Sequence, residues 1–266
     1  MRTAGLVCVA GLAAVSAFAA EGMFERKLSV KGLVDLDVVS DSGRIAIRTG
    51  PAGTVRVVGH IKSGMGSWLG GSLSAEEKVK RLEAQPPVEQ TGSMVRIGHI
   101  RDRELERNVS ISYEIEVPAD CRVKARSDSG SQSIEGIKGP VDAAADSGSI
   151  QLRSINGPVN AKADSGSITG TAIGGGIDAS TDSGRIEMEQ TVAGPIRISS
   201  DSGSVALRLP PNGGYDVNAS SDSGHVTSDV ALTVRGTIGQ NHMQGQLRGG
   251  GNTLRVSTDS GSIRLH

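Results

Sequence analysis

Aromatic side chains are scarce: Trp, Tyr and Phe together make up 2% of the 266 residues. Globular cores lean on aromatics for buried area, so this chain must build its interior from something smaller. Cysteine is equally thin, with Cys8 and Cys121 alone. Cys8 falls in the N-terminal apolar run, and loss of that run leaves Cys121 without a partner for an intramolecular disulfide. No His or second Cys accompanies Cys121 in a redox or catalytic pattern, so it reads as a small apolar strand residue. Neither sign of charge dominates, and a net charge of −1 excludes a global attraction to nucleic acid or anionic membrane. A membrane-crossing run of about 20 apolar residues is also missing.

The longest apolar run, Ala4 to Val15, follows Arg2 and precedes Ala17-Phe18-Ala19, a small-x-small cleavage pattern. Residues 1–19 therefore read as a signal peptide, removed to leave a mature chain from Ala20 with no transmembrane segment. Cys8, preceded by Gly5-Leu6-Val7, stands too early for a lipoprotein acylation site. The expected location is extracytoplasmic: periplasm, cell surface or secreted.

What the chain has in abundance is glycine, 37 residues, and a recurring phrase, Asp-Ser-Gly. It occurs eight times, with aspartates at Asp41, Asp128, Asp146, Asp164, Asp182, Asp201, Asp222 and Asp259. After an 87-residue gap the spacings are 18, 18, 18, 19, 21 and 37 residues, the last close to two periods. A fixed period in this range marks a solenoid. Five residues before each aspartate stands an aliphatic residue, as in Val141, Val159 and Ile177, and three before an apolar one, as in Ala143, Ala161 and Ala179. Four after, seven of the eight positions are apolar, Gln132 being the departure. That alternation places a short strand on each side of the phrase. Asp-Ser-Gly is then a corner, with glycine able to take φ > 0 and Asp able to bond backbone N–H groups just ahead. An opposite corner reads Lys138-Gly-Pro, Asn156-Gly-Pro, Gly174-Gly-Gly and Ala193-Gly-Pro.

The pattern predicts an all-β fold, a parallel β-solenoid of about 18 residues per coil, with equivalent strands about 4.8 Å apart. Residues 20–266 read as a single solenoid domain. Its first rung spans Leu28 to Gly50, residues 63–118 form an irregular insertion, and residues 119–266 form the regular coils. Within the insertion, Ser74 and Glu77 make a capping box for a helix over 75–84, with Val79 and Leu82 inward and the lysines and glutamates outside. Val95–Ile100 and Val109–Val117 read as the two arms of a hairpin joined by a charged, solvated loop. Residues 230–251 read as a long loop or degenerate rung, and Leu254–Leu265 as the terminal rung, with no sequence left for a C-terminal cap.

The exported start, the early Asp41 rung, the Val109–Pro118 strand, the even later rungs and the Leu254–Leu265 strand pair resemble the bacterial "putative adhesin" family. This is an exported β-strand-repeat domain of unknown function. The resemblance covers nearly the whole mature chain. It implies an extracytoplasmic, non-enzymatic β-solenoid and carries over no catalytic residues.

The residues themselves point the same way. Asp-Ser-Gly is the aspartic-protease signature, but that chemistry needs two such loops facing each other, with carboxylates buried at apolar strand ends. Here eight loops should stack in one column, each preceded by Ser, Ala or Thr. His225 beside Asp222 and Ser223 lacks the geometry of a triad, since neighbours in a tight turn seldom reach it. His60, His99, His242 and His266 show no metal spacing. A polysaccharide-acting β-helix enzyme is an alternative, thinly supported by Phe24, Trp68, Tyr113 and Tyr215. A calcium-binding column of carboxylates is another, although the phrase does not match the Gly-Gly-x-Gly-x-Asp repeat. Trp68, between glycines, either caps the open end or binds a partner. No catalytic, cofactor or metal residues and no cofactor are assigned. The expectation is a non-catalytic, adhesin-like binding or scaffolding module of the cell envelope. It would present outward residues such as Gln151, Arg153, Asn160 and Lys162 to an envelope or surface ligand, protein or glycan.

Overall fold

The computed structural model describes residues 20–64, 73–231, 233–234 and 239–266. Residues 1–19, expected from the sequence to be a signal peptide, and Trp68 lie outside these. Among the described residues strand is the dominant secondary structure, arranged as two sheets of eleven and twelve strands, with only two short helices. Each coil gives one strand to each sheet. In the central coils Val141–Ala145, Val159–Ala163 and Ile177–Ser183 stack in parallel in one wall, while Ile150–Ile155, Ile168–Ile173 and Ile186–Gln190 stack in the other. The expected β-solenoid, with helix and hairpin near its N-terminal end, is the fold.

The repeat positions fall into register as the alternation requires. Val141 pairs Val159, Val159 pairs Ile177, and Ile150 pairs Ile168, which pairs Ile186. All are buried. Removing each aliphatic side chain from water contributes about 1.5–3 kcal/mol. The alanines at the inner positions of one wall (Ala143, Ala161, Ala179) are buried as well, matching the close approach of two flat walls. The exception, Gln132, is 1% exposed and donates its Nε2 to Ser127 Oγ and to the Ala144 carbonyl, which keeps its amide nitrogen satisfied inside the core.

The N-terminal end departs from the expected arrangement. Val109–Val117 is not the second arm of a hairpin with 95–100. It pairs in parallel with Ile45–Thr49 and antiparallel with Thr54–Ser63, in the first sheet, whereas Met94–Ile97 pairs with Val34–Ser40 in the second. The two segments lie in opposite walls, as the two strands of one coil do. The hairpin present is Val88–Thr91 with Met94–Ile97, turned at Gly92 with φ 62°. Alternation alone shows that Val109–Val117 is a strand but not which neighbour it chooses.

The helix Ala75–Ala84 has both halves of the capping box, Glu77 N–H to Ser74 Oγ and Ser74 N–H to the Glu77 carboxylate. Val79 and Leu82 face inward as expected, over the strand Ala20–Ser29. Lys78 does not lie outside: it is 4% exposed and its ammonium donates to the Arg107 carbonyl at 2.7 Å, tying helix to loop. Edge groups of Ala20–Ser29 are occupied by side chains, Met23 N–H by Glu83 and the Ser29 carbonyl by Gln90, a device that blunts strand addition.

At the other end the order of stacking breaks from the order of the chain. Asn252–Ser260 lies between Ile196–Ser202 and Tyr215–Ser223, parallel to both. Ile263–Leu265 likewise lies between Val205–Arg208 and Val226–Ser228. The last residues of the chain are thus an interior rung and not the end one. The cap comes from earlier in the sequence, where His242–Leu247 pairs antiparallel with Tyr215–Ser223 and Thr233–Val234 pairs beyond it. The stretch expected to be a loop or degenerate rung supplies this cap.

Candidate functional site: the Asp-Ser-Gly edge and the outer faces

The eight Asp-Ser-Gly corners form one edge of the solenoid, and its geometry is set by glycine. None of the eight corner glycines has positive φ, so the reason for glycine is not the turn conformation that the sequence suggests. It is the approach of the neighbouring coil. A Cβ on Gly148 would fall under 3.0 Å from the Gly130 carbonyl oxygen, one on Gly166 from that of Gly148, and one on Gly184 from that of Gly166. The column continues through Gly203, Gly261 and Gly224, and at its other end Gly43 meets the Ile111 carbonyl in the same way. On the opposite edge Gly157 sits on Gly139 and Gly175 on Gly157 equally closely.

Between the walls and this edge runs a row of buried hydroxyls, at the residue just before six of the eight aspartates, with Ala145 and Ala163 at the other two. Ser127 Oγ donates to the Gly130 carbonyl at 2.8 Å, Ser221 Oγ to that of Gly261 at 2.9 Å, and Thr258 Oγ1 to that of Gly203 at 3.3 Å. The backbone ladder also continues around the corner, with Ser147 N–H donating to the Asp128 carbonyl and Ser165 N–H to that of Asp146, both at 2.7 Å. These bonds take the Asp and Ser N–H groups of the corners. The local carboxylate-to-backbone bonding expected of the aspartates is not formed. All eight carboxylates are exposed, and among the described residues none has a hydrogen bond or ion pair. They stand in file at the strand spacing, about 4.8 Å.

The other residues singled out by the sequence are dispersed. Asp222, Ser223 and His225 are all exposed on the corner, with no hydrogen bond among their side chains. His60 lies 3.7 Å from Glu114, His99 3.5 Å from Asp37, and His266 2.8 Å from Asp229, each beside a single carboxylate. Among the described residues no three His, Cys, Asp or Glu side chains gather in a metal-holding arrangement. Cys121 is wholly buried, and burial, with the Asp120 charge second, pushes its thiol up to about 12. Such a thiol is not the thiolate that nucleophilic or redox chemistry uses.

The outward rows of both sheets are polar. Gln151, Arg153, Asn160 and Lys162 are exposed as expected. Along the second sheet, in-register neighbours read Asp37, Lys124, Asp142, Asn160, Asp178, Arg197, Arg255 and Asn218. Beside this row and parallel to the stack runs an open groove of about 1060 Å³, with Pro140, Pro158 and Pro195 along one side and the charged row along the other. On the first sheet Arg48, Glu116, Arg56 and Glu25 form a chain of ion pairs, at 2.6 Å for Arg48–Glu116 and 2.7 Å for Arg56–Glu25. The Arg56 guanidinium holds the Glu25 carboxyl below its usual range. The groove was not visible in the sequence as a groove. Its signal was the proline that closes the second corner of most coils.

A flattened two-walled solenoid with a glycine-packed edge and polar outer faces defines the class as a β-strand-repeat protein. More particularly, residues 108–266 match the Toastrack DUF4097 family model, and the chain belongs to that family. Similar solved structures include a protein from Clostridium sporogenes described as a "putative cell adhesion protein". It is 12% identical with TM-score 0.39, over 92% of this chain and 99% of that one. Another, from Bacteroides fragilis, is described as a "putative adhesin", 12% identical with TM-score 0.44, over 92% and 97%. Among curated proteins none matches.

Proposed function

We propose that this chain is a non-catalytic, adhesin-like binding or scaffolding module exported from the cytoplasm, its signal peptide ending at Ala19 and its mature solenoid starting at Ala20. Membership of the Toastrack family supports this reading, as does the N-terminal Arg2, apolar run and Ala17-Phe18-Ala19 pattern. The observation that carries it is the groove on the second sheet, which crosses six successive coils from Arg122 to Arg255. A groove that repeats its side-chain slots at every strand spacing suits an extended, repeating ligand, contacted many times weakly and not once strongly. One side of it is an apolar rail of prolines and the other is the charged row, which changes sign along its length, so the ligand it fits is an extended chain that offers both apolar and polar groups, such as a surface glycan or an extended peptide.

The mature chain, immobilised and exposed to cell-envelope glycan and protein fractions, is expected to retain one of them and to leave it the same length. Replacement of Lys124 and Arg197 by Glu is expected to weaken that retention at least several-fold. Release of shortened saccharide or peptide would overturn the non-catalytic reading, and undiminished retention by the substituted groove would overturn its placement.

A further inference from the structure

We infer that the C-terminal rung, residues 252–266, is exchangeable between copies of this chain, so that the solenoid assembles by receiving the same segment from a neighbour. This goes beyond the ligand-binding reading and does not depend on it.

The inference begins from the stacking order. Among the regular coils up to Val205–Arg208, each coil lies on the one before it in the chain. Tyr215–Ser223 and Val226–Ser228 do not reach that stack directly, because Asn252–Ser260 and Ile263–Leu265 fill the gap in both sheets. The slot is specific. It takes Leu254, Val256, Ile263 and Leu265, all buried, and a glycine at the corner, since Gly261 is pressed between Gly203 and Gly224. Thr258 Oγ1 reaches the Gly203 carbonyl, Ser221 Oγ reaches that of Gly261, and the His266 backbone exchanges both of its bonds with Leu207 and Leu209. The segment that meets all of these requirements belongs to this sequence, and a second copy carries it too.

What differs between the chain's own rung and a neighbour's is the closure. His242–Leu247 lies on one side of Tyr215–Ser223 and Asn252–Ser260 on the other, so Tyr215 is paired with Leu247 and with Asn252. The link must cross over the start of that strand in four residues, and all four are left-handed: Arg248 at φ 49°, Gly249 at 85°, Gly250 at 82° and Gly251 at 139°. Arg248 is not a glycine, so its conformation is strained. Asp216 Oδ2 accepts from Gly251 N–H at 3.3 Å, and Arg248 Nη1 donates to the Pro210 carbonyl at 2.8 Å. A short link held in an unfavourable conformation beside a detachable element is the arrangement that favours exchange, since an extended link between two copies relieves it while every contact of the rung is kept.

Ser202 and Ser260 are exposed register partners on adjacent strands across the slot, close enough for a disulfide between parallel neighbours. The full chain carrying Ser202→Cys and Ser260→Cys, refolded and oxidised, reports which copy supplied the rung. Internally bridged monomers are expected from dilute refolding, and covalent dimers or longer chains, increasing several-fold, from concentrated refolding. Gly249→Ala, which forces a side chain into a left-handed position, is expected to raise the exchanged fraction at a fixed concentration. A control pair, Ser183→Cys with Ser260→Cys, sits one rung out of register and is expected to give no bridge. Internally bridged monomers alone at every concentration would overturn the inference, as would equal dimer from the control pair. Unsubstituted tagged and untagged chains, refolded together and then diluted, should remain associated; complete separation would overturn it without reliance on any variant.

Discussion

At the scale of single residues, the corner glycines answer to contact and not to conformation. Gly166 has an ordinary negative-φ backbone, yet a methyl group there would meet the Gly148 carbonyl. Gly166→Ala should therefore pry two coils apart and cost about 1–3 kcal/mol, the range for overpacking a tight interior. Ser165→Ala, next to it and exposed, should stay within about 0.5 kcal/mol. Urea titration of the two variants decides, and equal midpoints would mean that the column is not under compression. Cys121 makes a prediction about pH. Its thiol is raised from 9.0 to about 12 in the folded chain, so the folded state keeps a proton that the unfolded state gives up. That contribution to stability is complete below about pH 9 and is lost as the pH rises toward 12, by up to about 1.4 kcal/mol per pH unit. Burial raises the Tyr113 hydroxyl in the same direction. Melting temperature should decline above pH 9, and Cys121→Ala should make the decline shallower between pH 9 and 10. An unchanged slope in that variant would remove the thiol from the account.

At the scale of elements, the register of the walls is the claim most open to test. Ile168 is fully buried between Ile150 and Ile186, while Thr169 faces outward. Ile168→Asp should cost about 3 kcal/mol or more, since it buries an unpaired charge, and Thr169→Asp little, with denaturant midpoints as the measure. This much was legible from the sequence, because burial on one face of a strand imposes a period of two that Val159, Ala161 and Ile168 display openly. The helix was equally legible, since Ser74 and Glu77 bond only residues close by. Pairing choices were not. Val109–Val117 has the alternation of any half-buried strand, and its place between Ile45–Thr49 and Thr54–Ser63 depends on segments more than 40 residues away in the chain. The position of Leu254–Leu265 was hidden for the same reason: a rung matched to the repeat fits any gap in the stack, and its sequence does not say which. The role of the corner aspartates was not legible, because the N–H groups of Ser129, Ser147 and Ser165 beside them bond the coil below, a contact that exists only once coils are stacked.

At the scale of the whole molecule, the aspartate file is an unbalanced feature on a nearly neutral protein. Eight exposed carboxylates at about 4.8 Å repel along the whole edge, and no side chain among the described residues answers them. Stability should therefore rise as salt is added to a low-ionic-strength solution, and Asp164→Asn should raise the melting temperature there. The gain should fade near 0.15 M, where the screening length falls to about 8 Å. Because Ser and Gly beside each Asp offer few further oxygen ligands, millimolar calcium should do no more than an equal ionic strength of sodium salt; a rise specific to calcium of about 5 °C or more would identify the edge as a metal site. The intercalated rung carries a different consequence, one of time. A chain is made from its N-terminus onward, so the coil Tyr215–Ser228 leaves the ribosome before the segment it must rest on. For that interval the stack has a finished lower body, a waiting upper coil and no floor between them. Completion of the fold is thus tied to the arrival of residues 252–265, and a chain clipped before Leu254 loses a course of masonry from within the wall and not a tile from its roof.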